Sequence, residues 1–255
     1  MKKLLHTMNP SVKLITTSII LLTIPLVKNP WMPLLLTFSI ISFQLFFSNT
    51  SWKWWGLLMI PVSLSAFGYF WTSLVLGVRI EGVVLWQWQQ WSITDIQLAV
   101  SSMLAFRMFA FATVSFLFFF TTKPVPLIMS LMQNLRFPPK LAYSVMIGYQ
   151  FVPLVKQEWE QIERTRAMRG VPPATTFIAK IKRLFSTFIP LLAAGIRKAE
   201  ETAYTMEARG FTGKRPNEYY APIPIRFKDI VLGCSLLIIY LCTIYLSTFF
   251  PYASL

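Results

Sequence analysis

From Trp54 to Leu76 the chain runs for 23 positions without one charged side chain, and this leaves few possible folds. An uncharged, mainly apolar stretch of about 17–25 residues matches the hydrocarbon core of a bilayer when it is helical. Backbone amides have no other partner in lipid, so a lone span must be a helix. Four more stretches are similarly apolar: 12–27 and 96–122, interrupted only by Lys13 and Arg107 respectively, and the uncharged 31–47 and 230–250. Charged residues make up 13% of the chain, against about 25% in soluble domains. The expected fold is therefore an all-α polytopic integral membrane protein with about five transmembrane helices. The opening MKKLLHTMNPSVK resembles a signal peptide, but no small-residue cleavage site follows, so the first apolar run is read as the first span.

A net charge of +14 invites comparison with nucleic-acid binders, but the placement of the charge argues against nucleic acid as a partner. Between Lys123 and Asp229 stand 17 of the 24 basic residues and 8 of the 10 acids, a net +9. Basic segments stay on the cytoplasmic side of a membrane. This block, together with Lys2 and Lys3, therefore places the amino terminus and residues 123–229 in the cytosol, with an even number of spans between them. The expected division is four amino-terminal transmembrane helices in 1–122, a cytoplasmic helical block in 123–229, and a final transmembrane helix in 230–255.

The basic block has its own periodicity. Leu141, Val145, Gly148, Val152, Val155, Trp159 and Ile162 recur at spacings of four and three, as do Ile178, Ile181, Phe185, Phe188, Leu192, Ile196, Ala199, Ala203 and Met206. Each set marks one face of a long α-helix. Each helix begins apolar and ends charged, as if one half met lipid or other helices and the other half met water. Pro153 and Pro190 fall inside the patterns, where proline removes a backbone hydrogen bond and commonly kinks a helix. Ala193-Ala194-Gly195 offers either a close helix crossing or tolerance of the kink. A shorter element, Pro124–Arg136, precedes both and ends at the breaker Phe137-Pro138-Pro139.

Both long helices stop on the same pair of residues. The first ends TRAMRGV, with Met168, Arg169 and Gly170; the second ends TMEARGF, with Ala208, Arg209 and Gly210. Glycine beyond a helix end accepts left-handed dihedrals, and a cation in the last turn suits the helix dipole. Capping alone, however, would accept lysine, asparagine or nothing at the arginine. Glu160 and Glu200 each precede the arginine by nine residues, and a large apolar residue and helix-breaking sequence (Pro172-Pro173; Gly213 and Pro216) follow each glycine. Two rods ending in one forked cation look like two prongs for duplicated sockets, because guanidinium makes several hydrogen bonds from a fixed geometry.

These paired ends resemble the paired X-Arg-X motifs of the transmembrane T component, of the EcfT/CbiQ type, of energy-coupling factor (ECF) transporters, which are ABC transporters. NPSVKL (Asn9–Leu14) and RKAEETAYTMEARGF (Arg197–Phe211) resemble the family as well, and the layout matches along the whole chain. Met168 departs from the alanine common at its position. The resemblance implies a non-catalytic subunit in the plasma membrane of a prokaryote. It implies two cytosolic ABC-type ATPase subunits and a membrane-embedded, substrate-binding S component as partners, for uptake of a vitamin or metal ion. Arg169 and Arg209, with Met168, Gly170, Ala208 and Gly210, would then contact the ATPases. ATPase closure would move both helices together and tilt or release the S component.

The remaining residues limit the alternatives. No GxxxxGK[ST] phosphate loop is present; the nearest run, Gly210–Arg215, lacks its spacing and hydroxyl, so any ATP hydrolysis belongs to a partner. His6 is the single histidine, and neither a metal site, a catalytic residue nor a cofactor is assigned. Cys234 and Cys242 lie eight residues apart in one helix, about 12 Å along its axis; they are too distant for a disulfide and are read as buried apolar fillers. Arg107 either snorkels to the outer interface or lies deep with Asp95 or Glu81 as the nearest acids. Trp86, Trp88 and Trp91 suit an outer interfacial segment better than a sugar platform. Glu160 and Glu200 would support the coupling helices through Arg164 or Arg197. The competing reading is a polytopic membrane enzyme acting on a phosphorylated or lipid substrate. It lacks a histidine in the basic block and has only scattered acids there.

Overall fold

The computed structural model describes residues 4–27, 29–48, 51–76, 84–88, 91–171, 176–215 and 219–250. Lys2, Lys3, Glu81, Pro172, Pro173 and Pro216 lie outside them. The chain divides into two compact units. The first is 1–130 with 223–255, and the second is 131–222.

The first unit opens with a single turn, α1 (Leu4–Thr7), and then α2 (Pro10–Thr23), which a 3-10 turn extends through Leu26. Asn9 starts α2 by accepting the Ser11 N–H at 3.0 Å, and Pro10 sits where a missing N–H costs nothing. The other apolar runs form α3 (Trp31–Phe47), α4 (Trp52–Leu76), α5 (Asp95–Thr121) and α9 (Phe227–Thr248). Helices α4, α5 and α9 are long and apolar enough to cross a membrane; Pro10–Leu26 and Trp31–Phe47 are shorter apolar helices, 17 residues each and at the lower limit of a spanning length.

Its core is a layer of Ile20, Met32, Leu36, Val114, Leu117 and Leu236, closed by Tyr240. Helices α3 and α4 pack on α5, and α9 packs on α2 and α3. Gly233 sets the α2–α9 approach: a Cβ there would stand 3.0 Å from Val12 and 3.1 Å from Thr16. Small residues permit such approaches between membrane helices.

Three places singled out in the sequence are described or corrected by the structure. Val84–Trp88 (β1) and Trp91–Thr94 (β2) pair antiparallel, with Trp88 opposite Trp91, as the β-propensity of Trp, Ile and Thr permits. The architecture is otherwise helical among the described residues. Cys234 and Cys242 are exposed rather than buried, because they lie away from the packed stripe Gly233, Leu236, Tyr240 and Thr243 on α9. Lipid is as apolar as leucine, so hydrophobicity along the chain does not separate a lipid-facing residue from a packed one. Arg107 meets no carboxylate among the described residues; its Nη2 donates to the Val27 carbonyl at 3.0 Å, just beyond the end of the short first apolar helix. A cation at a helix's carbonyl end is favourable.

The second unit contains α7 (Pro139–Met168, 30 residues) and α8 (Phe177–Ala208, 32 residues), after α6 (Pro124–Asn134), which straddles the boundary. Both long helices run on through Pro153 and Pro190. Their apolar stripes are largely uncovered: Val152, Phe185, Phe188 and Leu192 are all exposed. A Cβ at Gly195 would meet nothing within 4 Å, so this glycine makes no tight crossing among the described residues.

Candidate interaction site at two helix ends

The two Arg-Gly ends share one backbone construction. At the first, the Gly170 N–H donates to Ala167 O at 3.0 Å and the Val171 N–H to Arg166 O at 3.1 Å. At the second, the Gly210 N–H donates to Glu207 O at 2.8 Å and the Phe211 N–H to Met206 O at 3.0 Å. Each is a Schellman motif, in which the two residues past the last helical turn turn back to satisfy its carbonyls. Gly170 has φ +74° and Gly210 φ +82°, a region that costs a side chain about 1–2 kcal/mol. Capping thus explains both glycines fully. It does not explain the arginines, which occupy the position before each glycine and contribute only ordinary backbone to the motif.

The arginine side chains are left to solvent. Arg169 and Arg209 are exposed, as are Gly170, Ala208 and Gly210, and Met168 is 80% exposed. Neither guanidinium pairs with an acid among the described residues. An exposed, unpaired arginine carries all its hydrogen-bonding capacity outward.

What lies beneath each tip differs. The first end is fastened to α8 by charge. Glu163 pairs with Arg183, with the Nε bond at 3.2 Å, and with Arg166 at 3.3 Å. Arg166 reaches across to the Thr187 hydroxyl at 2.6 Å and to Ser186 at 3.0 Å. The hydrogen bond from Arg183 holds the Glu163 carboxyl below the usual glutamate range, and Arg183 is raised in turn. The second end is fastened by packing. Phe211 stacks edge-on to Tyr143 of α7, with ring centres 5.3 Å apart, and Gly213 (φ +70°) leaves no space for a Cβ beside the Lys140 side chain. Tyr143, Ile147, Thr202, Met206 and Phe211 line a groove of about 470 Å³ beside this tip.

These contacts make α7 and α8 antiparallel. The end of α7 lies beside Thr187, within the first half of α8, while the end of α8 lies beside the start of α7. From Thr187 to Arg209 is 22 residues, about 33 Å of helix at 1.5 Å per residue. The two arginines therefore stand at opposite ends of one helical pair.

Of the two glutamates expected to brace the helices, Glu160 meets Arg164 at 3.7 Å on the surface, a contact of a few tenths of a kcal/mol. Glu200 meets neither Arg197 nor another base among the described residues; its neighbour Glu201 pairs with Lys198 at 3.2 Å. Glu163, Arg183, Thr187 and the Tyr143–Phe211 pair were not singled out in sequence. The large residue after each glycine was visible, but the partners lie 20 or more positions away. No group of three His, Cys, Asp or Glu residues is placed to hold a metal ion among the described residues.

The family model for the cobalt transport protein CbiQ matches residues 1–220. The energy-coupling factor transporter transmembrane protein EcfT of Ruminiclostridium cellulolyticum is 29% identical over 241 residues, covering 90% of this chain and 88% of the relative. The protein of that name from Listeria innocua is 26% identical and covers 92% and 91%. The one from Thermotoga maritima is 25% identical and covers 89% and 81%.

Proposed function

Because the chain belongs to the CbiQ family of transmembrane T components of energy-coupling factor transporters, we propose that its two arginine tips, Arg169 and Arg209, each dock in one of two cytosolic ABC-type ATPase subunits. The observation that carries this is the placement of two identically capped, solvent-exposed arginines at opposite ends of an antiparallel helix pair. Two sockets some tens of ångströms apart can be filled at once by such a pair. Met168, Gly170, Ala208 and Gly210 frame the arginines, and Glu160 and Glu200 are peripheral to them.

In this reading residues 1–122 and 230–255 span the plasma membrane of a prokaryote, with the amino terminus and residues 123–229 in the cytosol. ATP closes the ATPases, both tips move, and the exposed apolar faces of α7 and α8 carry that motion to a membrane-embedded S component. That component binds the micronutrient, a vitamin or a metal ion. The chain itself performs no chemistry.

The test is co-purification after gentle solubilisation. Two ATPase subunits per copy of this chain are expected. The double variant Arg169→Glu, Arg209→Glu should still insert but lose the ATPases, because reversing a buried charge contact costs about 2–5 kcal/mol, a factor of roughly 30 or more in affinity. Undiminished recovery of the ATPases with the double variant would reject the assigned roles.

A further inference from the structure

The chain leaves the transmembrane unit after Ser130 and returns to it at Ile223, and one buried side chain touches both points. The Asn9 Oδ1 accepts the Ser130 hydroxyl at 2.7 Å. Its Nδ2 donates to the carbonyls of Ile223 and Pro224, each at 3.3 Å. Its backbone N–H donates to Asp229 Oδ1 at 3.0 Å, and Asp229 Oδ2 accepts the Arg226 N–H at 2.9 Å, at the start of α9. Asn9 is only 3% exposed and Ser130 is fully enclosed. A primary amide is suited to such a place, since it accepts on one side and donates on the other.

The cluster extends into the transmembrane helices. Ser11 and Ser130 share a hydroxyl contact of 2.5 Å. Lys13, buried within α2, donates to the carbonyls of Leu5 at 2.6 Å and of Thr121, the last residue of α5, at 3.1 Å. Buried polar groups of this kind are tolerated only when partnered, and a partnered network holds its members to one arrangement. The start of α2, the end of α5, α6 and the start of α9 are thus joined where the second unit is attached.

We infer that Asn9 is a positioning residue for energy coupling, pinning both chain connections of the coupling unit at one point so that a displacement of that unit reaches α2, α5 and α9 together. This rests on the coupling role proposed above. Without the pin, the connections at 130 and 223 would each yield separately, and α6 would absorb motion that α9 does not receive.

Amide hydrogen exchange tests it in two steps. On the solubilised chain, Asn9→Ala should lower protection about tenfold at both 130–134 and 225–229, the size of effect expected from losing one or two buried hydrogen bonds. Ser130→Ala should lower it chiefly at 130–134, and it serves as the second variant if Asn9→Ala does not fold. Loss confined to one connection in Asn9→Ala would overturn the pin. On the complex with its ATPases, Mg-ATP with vanadate should change exchange at 9–13 and 225–229 together in the wild type. In Asn9→Ala this response should fall several-fold while the ATPases still co-purify and hydrolyse ATP. A purely structural asparagine would leave the response intact, and that result would overturn the positioning role. No ATPase recovered with the wild type would instead count against the coupling function, leaving the first step to decide the pin.

Discussion

The first and second helix tips are alike in what closes them and unlike in what holds them. Both end in the same Schellman hydrogen bonds around a left-handed glycine. Beneath the first lies an ion-pair cluster, Glu163 with Arg183 and Arg166; beneath the second lie the Tyr143–Phe211 ring contact and the Lys140–Gly213 packing. The shared part is local and presents the arginine. The differing part is tertiary and fixes where each presented arginine sits. Partly buried ion pairs still respond to pH and, more weakly, to salt, whereas ring packing does not, so the two tips should be separable by experiment.

The largest effect should be the one common to both. Gly170→Val and Gly210→Val each force a β-branched residue into left-handed dihedrals. Each should cost about 2 kcal/mol or somewhat less at its own cap, seen as a roughly tenfold or greater rise in amide exchange at residue 171 or 211. Clearly unequal losses would show that the caps are not equivalent after all.

Next in size, Phe211→Ala removes an aromatic pair worth about 0.5–1.5 kcal/mol. Exchange of the amides at 211–213 should rise about three- to tenfold, with no change at Val171. A matching rise at the first tip would show that the two ends are coupled rather than separately supported.

The smallest effect should come from pH. Glu163 has a folded-state pKa lowered chiefly by its bond from Arg183, so its contribution is present above the ordinary glutamate value of about 4.3 and is lost as pH falls through the lowered value. Protection factors at Val171 should drop modestly below about pH 4, those at Phe211 should not, and Glu163→Gln should abolish the difference. A pH response at both tips would remove the distinction drawn here.

Local pattern explains what was legible beforehand. The heptad-like spacing of Val145 to Ile162 and of Ile178 to Met206 located α7 and α8, since helical periodicity is written in nearest neighbours. Gly170 and Gly210 announced their caps for the same reason. The pairing of Val84–Trp88 with Trp91–Thr94 was not read beforehand, because aromatic residues suit interfacial and strand positions equally. Arg107 could not be placed, because its partner, the Val27 carbonyl, is a backbone atom 80 residues away and backbone acceptors leave no mark in a sequence.

By itself, then, the order of residues determined that this chain lives in lipid, where its helices run and where two arginines end them, because each of these depends on a run of adjacent side chains and its solvent. Only the tertiary structure decided that the two arginines stand at opposite ends of an antiparallel pair, that Glu163 reaches Arg183, and that Asn9 meets Ser130 and Ile223 in one buried cluster. Those contacts join residues from 20 to more than 200 positions apart. Which of many possible polar partners meet is set by how the helices pack, not by any local preference of the chain.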